Sequence, residues 1–275
     1  MNHHPIGVFD SGFGGLTVLK EIERVLPDHD LLYFGDNARA PYGNRSFEIV
    51  HAYTLEAVER LFAAGCHLVV LACNTASAKA LRTIQQNDLP RVAPERRVLG
   101  VIRPVTEWVG TLSRSGHVGI LATAGTVASG SYEIEIRKSF PGVTVTQEAC
   151  PMWVPLIENG EFDTPGADCF IERHVGRLME ADPLIDVVVL GCTHYPLIQG
   201  KIEKLLPPGV RVVAQGGVVA DRLADYLRRH PEIAAHCSRR GVREFLTSES
   251  PEAFDRAASL FYGKPIRSRR QSDLA

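Results

Sequence analysis

Short apolar runs of four or five residues recur along the chain, separated by longer stretches of mixed polarity. Residues 6–9, 30–34 and 68–71, which read IGVF, DLLYF and LVVL, are predicted strands, and the apolar, β-branched run at 68–71 suits one buried on both faces. The turn Asp10-Ser11-Gly12-Phe13-Gly14-Gly15 opens a predicted helix over 16–25. A long helix over 47–64 is capped by Ser46 and stopped by Gly65, and another follows over 76–86. Strands that alternate with helices in this way describe a parallel, doubly wound sheet.

After a polar stretch over 85–97 the plan repeats. Strands are predicted over 98–102, stopped by Pro104, and over 117–121, with a helix over 129–140 and a strand over 143–147. A loop, PMWVPLIENGEFD, then a helix over 166–179 and a strand over 187–190 complete this unit. The segment IGVFDSG is echoed by VGILATA, and LVVLACNT by VVVLGCTH, which points to a duplication. The remaining elements are strands over 210–213 and 242–246 and helices over 218–229 and 252–261, and packing them on the first unit balances its size. The expected fold is therefore α/β, with two similar doubly wound parallel-sheet domains facing each other across a cleft. Residues 1–97 with 212–275 form the first domain and 98–211 the second.

Composition narrows the function. With 275 residues, 45% hydrophobic and 23% charged, the chain can build a proper core under a polar surface. A formal net charge of −2 argues against nucleic acid or an anionic membrane as partner, and the basic cluster at 267–270 reads as a solvated terminus. The first residues lack a basic segment followed by a long apolar one, so no signal peptide is expected. No apolar run approaches the ~18 residues of a membrane span, and a cytoplasmic protein is expected. The six cysteines contain no Cys-x-x-Cys and are expected as free thiols with no metal site. Cys66, Cys150, Cys169 and Cys237 read as packing residues.

Cys73 and Cys192 stand apart from those four. Each follows a buried strand and one small residue, and each is followed by a polar pair, Asn74-Thr75 or Thr193-His194. Carboxyl ends of strands are where open α/β sheets bind ligands, and a helix N-terminus favours a thiolate. One such cysteine is ordinarily a small core residue; two in the same local frame make a working pair. Two thiols on two facing units suit the inversion of a carbon bearing hydrogen, with a base on one face and an acid on the other. Asp10, at the end of the first strand, and His194, two residues past Cys192, are the candidates to set their protonation. The glycine-rich turn after Asp10 fits neither G-x-G-x-x-G nor the P-loop pattern, and an aspartate at its mouth would repel phosphate.

Taken in order, IGVFDSGFGGLTV, YFGDNARAPYG, LACNTAS, ATAGTVASGSY, PLIENGE and GCTHYPL resemble the glutamate racemases of the aspartate/glutamate racemase superfamily. The resemblance implies a cofactor-independent, two-domain enzyme that interconverts L- and D-glutamate and supplies D-glutamate for peptidoglycan. It implies catalytic cysteines at Cys73 and Cys192, assisted by Asp10, Asp36, Glu158 and His194. It implies substrate contacts from Asp10, Ser11, Tyr42, Gly43, Asn74, Thr75, Thr126, Thr193 and His194. It also returns 210–275 to the first domain. Neither metal nor cofactor is expected, the partner is the small-molecule substrate, and a homodimer is the expected assembly. GVIRPV departs from the pattern at Arg103, and the polar stretch NDLPRVAPERR lengthens the crossing between units.

Three other readings remain open on residues alone. An aspartate racemase differs by one methylene of substrate, a difference worth only ~1–3 kcal/mol in an apolar pocket. A two-lobed amino-acid-binding protein would explain the duplication and leave both cysteines idle. A pyridoxal-phosphate racemase needs a Schiff-base lysine and a phosphate loop, neither of which is identifiable.

Overall fold

In the computed structural model, which describes residues 4–273, all ten strands run parallel to their neighbours in two sheets. The strands are β1 (Ile6–Asp10), β2 (Leu31–Gly35), β3 (Leu68–Leu71), β4 (Arg97–Gly100), β5 (His117–Ala122), β6 (Thr144–Ala149), β7 (Val187–Gly191), β8 (Arg211–Val213), β9 (Arg243–Thr247) and β10 (Arg269–Arg270). The first sheet has the order β10-β9-β2-β1-β3-β4 and the second β6-β5-β7-β8. Every residue of β1, β2, β3 and β7 is buried, because helices cover both faces and successive side chains enter different cores. Thus Val8 belongs to the same core as Leu19 and Leu223, while its neighbour Phe9 belongs to another, with Val58 and Leu61 of the helix Phe47–Ala63.

Two strands change places relative to the sequence reading. Arg97–Gly100, expected to open the second unit, pairs with β3 at the edge of the first sheet. Arg211–Val213, expected on the first unit, pairs with β7 in the second. A strand's sequence tells how it is buried but not which neighbour it pairs with, and both are short edge strands. The later elements do return: β9 pairs with β2, and β10 extends that edge.

Several helices also differ from expectation, and proline accounts for most of them. Residues 102–109, read partly as strand, form the helix Ile102–Val109 with Pro104 in its first turn. The expected loop at 151–163 contains the helix Trp153–Glu158, with Pro155 in its first turn. The crossing at 85–97 stays helical through Leu89–Val92, again with proline at its start. First-turn N–H groups have no intrahelical partner, so proline there costs little. The helix expected over 129–140 is Ser131–Ser139, preceded by an unexpected short helix, Ala124–Ala128, from which Gly130, with φ +63°, separates it. Arg103 lies on the exposed side of its helix with Nε 2.6 Å from Glu107. Cys66, Cys150 and Cys237 are buried as expected, whereas Cys169 is exposed on the helix Pro165–Ala181. Cys150 directly follows β6, so it does share the strand-end setting. Among the described residues no helix is long and apolar enough to cross a membrane.

The sheets are joined by the helix Gln215–Arg229, which packs along Leu16–Val25 and against Ile102–Val109. One apolar cluster runs from Ile6 and Val8 through Leu223 to Val188 and Leu190. Polar contacts tie the facing ends: Thr17 donates to the Thr193 carbonyl at 2.9 Å, and Gly125 N to the Gly43 carbonyl at 2.8 Å.

Asp30, at the entrance to β2, anchors the returning chain. Its buried carboxylate accepts from Ser238 Oγ at 2.6 Å and from Arg240 N, Arg240 Nε and Val242 N at 2.9 Å. Burial alone would raise its pKa; the donors from Ser238, Val242 and Arg240 outweigh it and hold the carboxyl far below its ordinary value. Asp30→Ala is expected to lower stability by about 2–3 kcal/mol, read from urea unfolding at neutral pH. The Asp30 contribution is present in full above the unfolded-state pKa of about 3.9 and fades as pH falls toward the depressed folded value. The gap between variant and parent should therefore narrow on acidification.

Candidate active site

The carboxyl ends of β1, β3 and β7 converge on a cavity of about 40 Å³ between the sheets, lined by both Cys73 and Cys192. Cys73 caps the helix Asn74–Lys79: its Sγ accepts from Ala76 N at 3.4 Å and lies 3.4 Å from Ser11 Oγ. Burial, then the nearby Asp10 charge, push its thiol up to about 12, against the opposing bonds from Ser11 and Ala76. Cys192 directly follows β7, and its Sγ stands 3.8 Å from His194 Nδ1.

His194 is 4% exposed, and its other nitrogen, Nε2, lies 2.9 Å from Glu158 Oε1. Burial lowers the pKa of this ring, but the bonds to Cys192 and Glu158 prevail and raise it to about 10. Both bonds thus favour the protonated ring. Glu158 reaches it from the last turn of Trp153–Glu158, which is held by Trp153 packed edge-on against Tyr195, 4.8 Å between centroids. Phe261 meets the His194 ring edge-on at 5.2 Å.

Asp10 is fully buried at the end of β1. Its Oδ2 accepts from Gly12 N at 2.9 Å, and its Oδ1 is 3.5 Å from Thr193 Oγ1, the reach from one sheet to the other. Burial raises its pKa against the lowering effects of His194 and of the Gly12 and Gly15 amides, and the net direction is up. The turn carrying it is fixed by Tyr33, whose hydroxyl donates to the Gly12 carbonyl at 2.8 Å. Gly14 lies directly against Thr193 and His194 of the second sheet. A Cβ there would stand 2.2 Å from Thr193 Oγ1 and 2.4 Å from His194 Nδ1, so only hydrogen fits.

Ser11, Tyr42, Gly43, Asn74, Thr75, Glu158, Thr193 and His194 line the cavity with the two cysteines. Asp10, Asp36 and Thr126 do not, Asp10 lying fully buried behind the wall. Asp36 is buried behind Tyr42, accepting from the Tyr42 hydroxyl and, at 2.7 Å, from Arg39 Nε. Thr126 sits in a buried cluster with Thr75 and Thr123, whose hydroxyl oxygens are 3.0–3.4 Å apart. Asn74 Nδ2 donates to Tyr132 Oη and to Gln215 Oε1, both at 2.9 Å. Its Oδ1 has no partner among the described residues. Thr123, Tyr132, Tyr33 and Gln215 are the site's supports that the sequence reading missed. Tyr132 lies within the ATAGTVASGSY motif, but the flanking Gly216-Gly217 pair hid Gln215 by masking the start of its helix.

Among the described residues no group of three or more His, Cys, Asp or Glu side chains could hold a metal ion. What the cleft offers is a pair of thiols supplied by opposite sheets, one near a carboxyl group and the other beside an imidazole. That suits proton removal and return at one carbon.

Comparison with known proteins points the same way. A glutamate racemase of Paracoccus denitrificans is 43% identical over 273 residues, covering 95% of this chain and 98% of that protein. The crystal structure of the glutamate racemase isoform RacE1 from Bacillus anthracis superposes with a TM-score of 0.88 at 33% identity, covering 98% of each chain. The glutamate racemase of Francisella tularensis, solved with D-glutamate, gives 0.86 at 28% identity, covering 98% of this chain and 97% of that one. Residues 6–223, which hold both cysteines and every polar group lining the cavity, match the Asp/Glu/hydantoin racemase family, and to that family the chain belongs.

Proposed function

We propose that this protein is a glutamate racemase, an isomerase that inverts the α-carbon with Cys73 and Cys192 as the two proton-transferring groups. The observation that carries the reading is that both sulfurs border one small cavity, each supplied by a different sheet. The glutamate racemases that the chain matches along nearly its whole length support the choice of substrate. On this reading the enzyme works in the cytoplasm and its D-glutamate serves peptidoglycan synthesis. The strand pairing supports a division into two α/β units, residues 4–100 with 243–273 and residues 117–213, with the helix Gln215–Arg229 packed between them.

The two thiols work in unlike surroundings. Charge that moves onto the Cys192 sulfur meets the His194 imidazolium, itself paired with Glu158. Cys73 has Asp10 beside it, a carboxyl whose raised pKa suits taking up and releasing the proton that Cys73 exchanges. Ser11, Asn74, Thr75 and Thr193 surround the substrate with neutral donors and acceptors, so its charges are held without an arginine at the reacting carbon. Closure excludes water and strengthens every one of these interactions. Asp36 acts through Tyr42, whose hydroxyl it fixes at the cavity wall.

Cys73→Ala and Cys192→Ala should each abolish racemisation in both directions while leaving circular dichroism unchanged. The loss expected for one positioned proton-transfer group is ~10²–10⁴-fold. Near-normal activity in either variant would sink the two-thiol assignment. Run early in deuterium oxide from one glutamate enantiomer, the parent protein should place solvent deuterium in the product while recovered substrate stays mostly protiated. Product that keeps its original proton would rule out two separate bases.

Asp10→Asn and His194→Asn should slow the two directions unequally, each chiefly when its own thiol is the base. Because the His194 pKa is raised, rates that depend on its proton should hold up to about pH 10 and fall above it. That alkaline limb should be missing from pH–rate profiles of His194→Asn. Equal losses in both directions for both variants would assign these residues to plain substrate binding.

A further inference from the structure

Gln215 follows β8 by two residues, so its backbone is carried by the second sheet. Its side chain is buried and uses both ends of its amide. Nε2 donates to the Leu190 carbonyl at 2.5 Å, and Oε1 accepts from Asn74 Nδ2 at 2.9 Å. Leu190 lies on β7 two residues before Cys192, and Asn74 directly follows Cys73. One amide is thus bonded next to each thiol, across the two sheets. A buried amide left without either partner is unfavourable, which favours keeping both bonds closed.

We infer that Gln215 is a positioning residue that sets the separation of the Cys73 and Cys192 sulfurs. The inference rests on the two-thiol reading and adds to it a device that holds the gap. Once one sulfur has removed the α-proton, the carbanion is protonated either by the opposite S–H, giving product, or by the first sulfur, returning substrate. Crossing requires the opposite thiol within contact of the carbon, whereas return does not. A wider gap also admits water, through which the first sulfur exchanges its proton before giving it back. The partition between return and crossing therefore reads the gap, while loss of folded protein would lower both together.

The test compares the parent with Gln215→Met and Tyr132→Phe, each run from L-glutamate and from D-glutamate in deuterium oxide. Deuterium at the α-carbon is measured early in recovered substrate and in product. Methionine fills the space of glutamine and makes neither bond. Tyr132→Phe removes the other partner of Asn74 Nδ2, which also crosses between the units, and leaves the Gln215 bonds to Asn74 and Leu190 in place. In Gln215→Met, kcat should fall about ten- to a hundredfold in both directions, with KM changing less. Deuterium in recovered substrate should rise several-fold relative to product. Tyr132→Phe should keep the parental ratio. An unchanged ratio in Gln215→Met, whatever its rate, overturns the inference. A matching change in Tyr132→Phe overturns it too, because the gap would then not be set by Gln215 in particular. If Gln215→Met does not fold, Gln215→Glu keeps the acceptor for Asn74, loses the donor to Leu190, and is read by the same ratio. Absence of racemisation by the parent would instead overturn the proposed function, and is seen before any variant is made.

Discussion

The contact on which the rest depends is the one at Gly14, where the turn after β1 presses directly on Thr193 and His194 of the second sheet. With no side chain in the way, Asp10 comes within reach of Thr193, and His194, beside it, pairs with Glu158. Neither sheet builds the site alone. The first supplies Asp10, Ser11 and Cys73 and the second Cys192, Thr193, His194 and Glu158. The fold's task is to hold two strand ends at side-chain distance while leaving a small cavity between them.

That approach gathers titratable groups where water is scarce, and the arrangement stays affordable because each is answered. Asp10 accepts backbone donors from its own turn, His194 bridges Cys192 and Glu158, and Cys73 accepts a helix-terminal N–H. Such burial moves proton affinities away from their solution values, upward for the Asp10 carboxyl, the Cys73 thiol and the His194 ring. The chemistry is symmetrical in its two thiols and unsymmetrical in their company: an anion-forming group on one side and a cation on the other.

Much of this is legible in the chain. The central strands announce themselves because a parallel strand covered on both faces must be apolar throughout, and the two cysteine frames repeat closely enough to be paired by eye. Edge strands are harder. Arg97–Gly100 and Arg211–Val213 are recognisable as strands, but the sheet each joins depends on neighbours far away in sequence. Pro104 reads as the stop of a strand, and Pro90 and Pro155 fall in stretches read as crossing and loop, yet each sits in a helix's first turn, where a missing N–H goes unnoticed. Asp36 carries a family pattern that its bonds to Arg39 and Tyr42 place one layer behind the cavity wall. Gln215 offers no local signal at all, since its meaning comes from what it touches on the other sheet.

The strand order also bears on how the molecule is made. Leu31 of β2 pairs with Arg243 of β9, so one flank of the first sheet waits for residues near the end of the chain. The four strands of the second sheet lie together between residues 117 and 213 and need nothing from outside that span to pair. During synthesis the second sheet can close while β2 still presents an open row of backbone donors and acceptors, the kind of edge that invites mispairing. The part of the protein translated first is therefore the last to be completed.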